Sequence, residues 1–496
     1  MNLAEIRDFL KLPTEAGNMV KWDKSISDII EDSRCCTKNS LFIAEVGNHF
    51  NGHSAILNLY QRGVHAFLVT EPVELPGPFA VIFQTNKIQK YKTALAHEFY
   101  KYPWRDLVLI GITGTNGKTT TAHLIQSILK EKYGSDEVGI MGTIRYAWGR
   151  HEEVCPLHTT PGILTLLKYL RRMVNDGCKV VVMEVSSHAL KLGRVDDILY
   201  DVGIFTNLTQ DHFDFHTSWE DYYQSKKRLF LQMKENGRVV LNKQDKYGER
   251  LYAELDNISE KISFDVEGNA NVSLNELIDY KKGLDFKVKI NDELIIIKSS
   301  LLGLHNIENI LGAIATAKAL DISLSDIQKG IENLKEVVGR FQIYSKRNIN
   351  AVVDYAHSPN ALENVLKAIN KLRQEAGLLI TVFGCGGERD KEKRPIMGKI
   401  AQELSDFVFI TSDNPRNENP LAIINDIKKG MSNHTYEVIV DRREAIKKAL
   451  TIANPGDWIL IAGKGHENYQ LIGNQKIFFD DMYEVRKYWE RYEEAK

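Results

Sequence analysis

Short runs of apolar residues, separated by amphipathic stretches, recur along most of the chain. The runs 107–112, 180–185 and 202–206 are almost wholly apolar, as strands of a parallel sheet are when helices cover both faces. Segments with helical periodicity fall between them. Residues 286–290 and 294–297 alternate instead around Asn291-Asp292, which predicts a hairpin on a solvated sheet. We therefore predict an α/β central domain from residue 106 to residue 338.

The two ends of the chain predict a domain each. Residues 1–105 contain short apolar strands at 41–44 and 66–69, which indicate a smaller α/β domain. Residues 339–496 alternate strands (351–353, 378–383, 407–411, 437–440 and 458–462) with helical stretches, the pattern of a doubly wound, Rossmann-like sheet. A length of 496 residues fits three domains at roughly 150 residues each.

Composition excludes several classes of function. The chain has 64 Lys and Arg against 66 Asp and Glu, whereas a general nucleic-acid binder needs a surplus of positive charge. No apolar run approaches the roughly 18–20 residues that cross a bilayer, and the first residues lack the apolar core of a signal peptide. The five cysteines form no C-x-x-C pair, so we expect free thiols. These features predict a cytoplasmic protein that binds neither nucleic acid nor membrane.

A glycine-rich segment, Gly111 to Thr120, lies between an apolar run and a helical stretch. In this context backbone N–H groups can turn inward on a phosphate, and the helix N-terminus adds positive potential. Lys118 would reach the β and γ phosphates, and the hydroxyl of Thr119 would hold Mg²⁺. Ile112 stands where the commonest phosphate-loop pattern has glycine, so the match is to a variant. The predicted nucleotide contacts are Gly114, Thr115, Asn116, Gly117, Lys118, Thr119 and Thr120.

Three further features are candidates for chemistry. Glu184 ends an apolar strand, where a carboxylate is costly unless it meets a cation, so we interpret it as a Mg²⁺ ligand or, alternatively, a cap of the following turn. Asp413-Asn414-Pro415-Arg416 follows another strand, and its arginine either holds a carboxylate or lies at the surface. Taken alone, His212 and Lys226 indicate only an ordinary histidine and a solvated lysine. Gly384-Cys385-Gly386-Gly387 is no dinucleotide loop, because Arg389 stands where that pattern needs glycine.

The strings Thr113–Thr119, Glu184–Ala189 and Asn207–His212 together resemble the Mur ligases, ATP-dependent amino-acid ligases of peptidoglycan synthesis. The resemblance covers the whole chain and is strongest to the members that add the third peptide residue. It implies a cytoplasmic, monomeric ligase that acts on small molecules with ATP and Mg²⁺. The reaction it implies joins meso-diaminopimelate to the D-Glu γ-carboxylate of UDP-MurNAc-L-Ala-D-Glu through an acyl phosphate.

The resemblance also implies roles for individual residues. Lys118, Glu184, His212 and Lys226 would be catalytic. Thr119, Glu184 and His212 would bind Mg²⁺ together with Lys226, which the spacing from Tyr222 marks as the carbamylated lysine. Further ATP contacts would be Asn306, Asn309, Arg340, Asp354 and His357. The acceptor would meet Ser33, the segment 48–53, Thr159, Thr160, Ser186 and Arg194. Diaminopimelate would meet Arg389, Asp413, Asn414, Pro415, Arg416, Gly463 and Glu467.

The chain departs from the family pattern near the acceptor. His158 stands where asparagine is common, and Gly162-Ile163 replaces Glu-Ser. A paralogue that acts on another nucleotide- or peptide-linked carboxylate is therefore an alternative. A folylpolyglutamate-type ligase is disfavoured because about 110 residues precede the phosphate loop, and a nucleotide switch would not need the predicted amino-acid pocket. Either His357 or His466 would take the proton of the attacking amine.

Overall fold

The computed structural model describes residues 1–47, 50–74, 77–154, 158–256, 260–373, 376–432 and 435–494. The chain packs into two compact units. Unit 1 comprises residues 1–107, 161–177 and 192–198, and unit 2 comprises residues 108–160, 178–191 and 199–496.

The helices and strands follow in chain order. Residues 1–107 form α1 (Leu3–Leu10), β1 (Thr14–Ala16), β2 (Asp28–Ile30), β3 (Ser40–Ala44), α2 (Ile56–Gln61), β4 (Ala66–Val69), β5 (Val81–Gln84) and α3 (Ile88–Phe99). Residues 108–300 form β6 (Val108–Thr113), α4 (Lys118–Tyr133), β7 (Val138–Met141), β8 (Arg145–Trp148), β9 (His151–Val154), α5 (Ile163–Asn175), β10 (Val180–Glu184), α6 (Ser187–Lys191), β11 (Tyr200–Phe205), α7 (Trp219–Lys227), β12 (Met233–Asn242), α8 (Lys246–Glu254), β13 (Lys261–Asp265), β14 (Val272–Asp279), β15 (Leu284–Ile290) and β16 (Glu293–Ser299). The remaining elements are α9 (His305–Ala319), α10 (Leu324–Asn333), β17 (Gln342–Lys346), β18 (Ile349–Asp354), α11 (Pro359–Leu372), β19 (Leu379–Phe383), α12 (Lys393–Leu404), β20 (Phe407–Ile410), α13 (Pro420–Lys428), β21 (Tyr436–Val438), α14 (Arg442–Ile452), β22 (Trp458–Ala462), β23 (Tyr469–Ile472), β24 (Gln475–Phe478) and α15 (Asp481–Glu494).

Unit 1 is built on a sheet with the strand order β1-β5-β4-β3-β2, in which only the β1–β5 pairing is antiparallel. Helix α5 packs in this unit, where Arg171 donates a hydrogen bond to the Tyr100 carbonyl at 2.9 Å. The sequence prediction put α5 within the central segment. Its apolar stripe buries Ile163, so this departure from the family pattern is a core residue of unit 1.

The first sheet of unit 2 has the order β16-β15-β14-β13-β12-β11-β6-β10-β7-β8-β9. Its middle, from β7 to β14, is parallel, and antiparallel strands extend both ends. The fully buried β10 matches the prediction of a strand covered on both faces. The predicted hairpin is β15–β16, whereas the extension formed by β8 and β9 was not predicted.

The second sheet of unit 2 has the order β17-β18-β22-β19-β20-β21, parallel except for β17 at its edge. Apolar side chains form a separate core on each face, as in a doubly wound sheet. The predicted α/β class with parallel-rich sheets is confirmed, while the domain boundaries at residues 105/106 and 338/339 stay predictions. Over the described ranges, none of the helices is long and apolar enough to cross a membrane.

Candidate active site

The glycine-rich segment joins β6 to α4 as a phosphate loop does. Gly114 and Gly117 have φ angles of 153° and 85°, a region that side chains disfavour. A Cβ atom on Gly117 would lie 2.3 Å from Oδ1 of Asn309, and one on Gly114 would lie 1.8 Å from Oγ1 of Thr206. Both positions therefore require glycine, and Asn309 lies directly against the loop.

Lys118 begins α4 and folds back over the loop. Its Nζ donates to the carbonyls of Gly114 and Thr115, each at 2.9 Å. Burial lowers the pKa of Lys118, and the nearby Glu184 carboxylate opposes that shift. The ammonium is thus held at the phosphate loop.

The Glu184 carboxylate is 1% exposed and closely held. Thr119 Oγ1 donates to Oε2 at 3.0 Å, and Thr143 donates its N–H to Oε1 at 2.8 Å and its hydroxyl to Oε2 at 2.9 Å. These partners come from α4 and from the β7–β8 turn. The alternative interpretation of Glu184 as a cap of the following turn is therefore wrong.

Three of the predicted acceptor residues adjoin Glu184. Thr159 Oγ1 lies 3.0 Å from Thr143 Oγ1. Thr160 donates to the Glu184 carbonyl at 2.9 Å and accepts the N–H of Ser186 at 3.0 Å. The other two, Ser33 and Arg194, belong to unit 1. Within the predicted segment 48–53, Asn48 and His49 lie outside the described residues. Of the five cysteines expected to be free thiols, Cys155 also lies outside them.

Tyr222 on α7 is the common neighbour of two predicted metal ligands. Lys226 is 1% exposed, and its Nζ lies 4.5 Å from the centre of the Tyr222 ring. The His212 ring lies 6.3 Å from the same ring, and the Tyr222 hydroxyl lies 3.1 Å from Thr115 Oγ1 of the phosphate loop. Burial, reinforced by Lys118, holds the pKa of Lys226 well below its usual value.

Predicted nucleotide residues also meet the loop. Arg340 donates from Nη2 to Thr119 Oγ1 at 3.0 Å. Asn309 Nδ2 donates to Asn306 Oδ1 at 2.8 Å. Both carboxylate oxygens of Asp354 accept backbone N–H groups, those of Phe341 and Ala356, each at 2.7 Å. The Asp354 carboxylate thus holds the backbone at Phe341 and at Ala356. Its predicted contact with ribose stays a prediction.

The predicted amino-acid residues are gathered in the second half of unit 2. Nη1 of Arg416 donates to the Gly387 carbonyl at 2.7 Å, and Nη1 of Arg389 donates to the Glu388 carbonyl at 3.1 Å. Among the residues that the structure describes, no carboxylate lies within ion-pair distance of either guanidinium. Burial lowers the pKa of Arg416, and Arg389 lowers it further. Two cations without a carboxylate partner form a site suited to an anion.

Glu467 is hydrogen-bonded to Asn414, which belongs to the same loop as Arg416. Its Oε2 accepts from Asn414 Nδ2 at 2.8 Å and from the buried Lys464 Nζ at 3.1 Å. Gly463 has φ 115°, and a Cβ there would lie 2.4 Å from Asp413 Oδ2. A cavity of about 420 Å³ adjoins Arg389, and its lining residues are Phe213, Asp214, His216, Thr217, Arg389, Asp390, Lys391 and Glu392.

Comparison with known families identifies the fold and its chemistry. The Mur ligase middle domain matches residues 112–317, and the Mur ligase, glutamate ligase domain matches residues 339–465. The chain belongs to the Mur ligase family. The resemblance stated from the phosphate loop and the two polar turns is thereby confirmed.

Full-length relatives of this Mur ligase are similar over nearly their whole length. A UDP-N-acetylmuramoyl-L-alanyl-D-glutamate–2,6-diaminopimelate ligase of Fusobacterium nucleatum is 40% identical over 94% of this chain and 95% of its own. The Bacillus licheniformis protein of the same name is 40% identical over 98% of this chain and 99% of its own. A solved structure with that name is 28% identical and covers 99% of both chains, with a TM-score of 0.64. A Thermotoga maritima MurF ligase in complex with ADP shares the fold at 21% identity, covering 88% of this chain and 93% of its own, with a TM-score of 0.64.

Sequence reasoning missed one charged centre of this Mur ligase. Asp211 is 3% exposed and accepts Nζ of Lys393 at 3.0 Å, while Nε2 of His357 lies 3.3 Å and Nε2 of His212 3.6 Å from its other oxygen. Burial alone would raise the pKa of Asp211, but the neighbouring cationic groups hold it well below its usual range. The signal was present, because Asp211 precedes His212 in the family string, but Lys393 stands in a charged run that resembles a solvated surface.

Thr143 was missed as well. It lies in a turn that carries no recognisable motif. In the structure it supplies two of the three hydrogen bonds that hold the Glu184 carboxylate.

Proposed function

We propose that this Mur ligase adds meso-diaminopimelate to the D-Glu γ-carboxylate of UDP-MurNAc-L-Ala-D-Glu, with hydrolysis of ATP to ADP and phosphate. The observation that carries the substrate choice is the Arg389–Arg416 pair beside Glu467. Diaminopimelate has a second amino-acid centre, with a carboxylate for the guanidinium groups and an ammonium for Glu467. Lysine lacks that carboxylate and would leave both arginines without a partner. The names of relatives at 39–40% identity support the same substrates.

The nucleotide half of the site fits ATP. Lys118 Nζ uses two of its donors on loop carbonyls, which leaves one for a phosphate oxygen. Arg340 is hydrogen-bonded to Thr119 at 3.0 Å, so its guanidinium adds a second cation near the same phosphates. Both charges are fixed before the reaction, and fixed charges stabilise a phosphoryl transfer without reorganisation.

The residues present also fit Mg²⁺. Thr119 Oγ1 and Glu184 Oε2 are 3.0 Å apart, and neighbouring ligands of an octahedral Mg²⁺ at about 2.05 Å are about 2.9 Å apart. Thr119, Glu184, His212 and carbamylated Lys226 would hold the metal. Over the described ranges there is no cluster of three or more His, Cys, Asp or Glu side chains suited to a metal, and the proposed ligand set accordingly includes Thr119 and a carbamate at Lys226. Bound Mg²⁺ would draw negative charge from the phosphate oxygens.

Carbamylation of Lys226 is consistent with its surroundings. Its side chain is buried, and within the described part of the chain no carboxylate pairs with Nζ. A neutral amine attacks the carbon of CO₂, a C–N bond forms, and the proton leaves to water. The product is an oxygen anion, which a site beside cationic residues favours. Lys227, in contrast, forms an ion pair with Glu254 at 2.8 Å.

The reaction then needs no protein nucleophile. The γ-carboxylate attacks the γ-phosphorus and ADP leaves, after which the amine attacks the acyl carbon and phosphate leaves. The choice of His357 or His466 as the base stays a prediction, because both ring nitrogens of His357 already face acceptors, the Tyr355 carbonyl 2.7 Å from Nδ1 and Asp211 Oδ2 3.3 Å from Nε2. Burial lowers the pKa of His466 to about 3, which makes it a weak base. We further propose that the enzyme is monomeric and works in the cytoplasm.

The test is an ADP-release assay that crosses acceptors with amino acids. UDP-MurNAc-L-Ala-D-Glu with meso-diaminopimelate should support turnover, and lysine or glutamate should support far less. Lys118→Ala should abolish turnover, because it removes the ammonium of the phosphate loop. Equal turnover with lysine, or full activity of the Lys118 variant, would contradict the proposal. Turnover only with another carboxylate would favour the paralogue.

A further inference from the structure

The β23–β24 hairpin, residues 469–478, is joined to the loop that carries Arg416. The Arg416 N–H donates to the Leu471 carbonyl at 3.0 Å, and the Gly473 N–H donates to the Arg416 carbonyl at 2.8 Å. Arg416 and Ile472 thereby form an isolated parallel bridge. The hairpin therefore holds the backbone of Arg416, whose side chain is proposed to bind the distal carboxylate of diaminopimelate.

Arg416 needs such support because its backbone is strained. Its φ angle is 53°, in the left-handed region that residues with a side chain disfavour. A strained conformation persists only where its surroundings determine it. The two hydrogen bonds on either side of the Arg416 peptide supply that determination. Without them the arginine would relax toward an ordinary conformation and its guanidinium would move.

Two more hydrogen bonds fix the start of the same loop. The Gln470 amide donates from Nε2 to the Asp413 carbonyl at 2.6 Å, and the Leu471 N–H donates to Oδ1 of Asn414 at 3.0 Å. Asn414 in turn donates to Glu467 at 2.8 Å. Gln470 thus supplies a side-chain hydrogen bond from the hairpin to the loop 413–416.

We propose that the β23–β24 hairpin holds Arg416 in place for diaminopimelate, and that Gln470 is a positioning residue that acts on this substrate through Arg416. This inference rests on the proposed function, because it takes Arg416 as the ligand of the distal carboxylate. Gln470 itself need not touch the substrate. Its effect should therefore appear in the KM for diaminopimelate and in no step that involves ATP.

The test compares two glutamines of the same hairpin. Gln470→Met keeps the shape of the side chain and removes the donor, and Gln475→Met makes the same change at an exposed position of β24. Gln470→Met should raise the KM for diaminopimelate about 3- to 10-fold, the value of one lost neutral hydrogen bond. Its kcat and its KM for ATP should stay within about twofold of wild type, as should every constant of Gln475→Met. Equal effects of the two substitutions would overturn the inference, as would a change confined to thermal stability.

A double-mutant cycle separates this inference from the proposed function. If Gln470 acts through Arg416, Gln470→Met should lower kcat/KM for diaminopimelate in the wild-type background and have no further effect in Arg416→Ala. Full additivity would overturn the positioning role and leave the proposed function intact. A wild-type enzyme that does not use diaminopimelate, or an Arg416→Ala variant with unchanged kinetics, would instead refute the proposed function.

Discussion

Replacing Lys393 with methionine tests whether the buried charges around Asp211 stabilise unit 2. The Lys393 side chain is 7% exposed and that of Asp211 4% exposed, and their ion pair measures 3.0 Å. Methionine keeps most of the volume and removes the charge. Asp211 would then remain buried with a carboxylate that has lost its lysine partner.

The expected loss of stability depends on which partners the Asp211 carboxylate retains. Breaking a buried pair by removing one partner costs about 3–5 kcal/mol. Asp211 keeps the N–H of His212 at 2.9 Å and Nε2 of His357 at 3.3 Å. We therefore expect the free energy of unfolding to fall by about 3 kcal/mol. If unit 2, of roughly 365 residues, unfolds as one cooperative unit with an unfolding entropy of about 2.1 cal/mol/K per residue, its unfolding temperature should fall by about 4 °C.

The assay is thermal unfolding of the metal-free protein followed by calorimetry. Lys391→Met is the matched control, because that lysine is 67% exposed and its ion pair with Glu418 is 3.6 Å long, a kind of pair that contributes about 0–1 kcal/mol. The double variant Asp211→Asn/Lys393→Met should unfold at a temperature between those of wild type and Lys393→Met, since the unpaired charge is gone. A double variant no more stable than the single one would refute the reasoning, as would equal effects of the two lysine substitutions.

Three further outcomes are expected from the active site. Lys226→Ala should be inactive and regain partial activity with a short carboxylic acid in solution, while Lys227→Ala should keep its activity; failure of rescue in a folded variant counts against the carbamate. Thr143→Val, which removes one hydrogen bond to Glu184, should raise the Mg²⁺ concentration for half-maximal activity by about 3- to 10-fold, and Thr143→Ser should restore it; equal Mg²⁺ dependence would remove Thr143 from this role. Arg416→Ala should lower kcat/KM for diaminopimelate by about 30- to 900-fold, or about 2–4 kcal/mol, and an unchanged KM would exclude Arg416 from the pocket.

The parts of the site that could be predicted from the sequence are those encoded within a few residues. The phosphate loop is contiguous, so its glycines, Lys118 and Thr119 are visible as one motif. Lys226 was different: taken alone it indicated a solvated lysine, which is wrong because the helix buries Tyr222 and Lys226 together, and only the family resemblance pointed to it rather than to Lys227. The phosphate loop follows from local backbone geometry, which a single sequence contains.

Contacts that depend on strand register could not be predicted. Thr143 reaches Glu184 because β10 pairs in parallel with β7, with Met183 opposite Met141. Nothing within the β7–β8 turn indicates that register. Lys393 and Asp211 are 182 residues apart, and their pairing depends on how two separately wound sheets pack within unit 2. The same limit applies to helix α5. Its periodicity predicts that one face is buried, but it does not indicate which element packs against that face.

A hydrogen-bonded series of side chains links Glu184 to a proposed acceptor residue and to a proposed phosphate residue. Thr159 contacts Thr143 at 3.0 Å, Thr143 donates to Glu184 at 2.9 Å, Thr119 donates to the same oxygen at 3.0 Å, and Arg340 donates to Thr119 at 3.0 Å. The series runs from a proposed acceptor residue to a proposed phosphate residue. A hydroxyl can donate only one hydrogen, so if a ligand took the hydroxyl hydrogen of Thr143 or Thr119, Glu184 would lose that donor. Such a ligand would remove one of the hydrogen bonds that orient Glu184, as Thr143→Val does, which couples acceptor and nucleotide binding to metal binding at this residue.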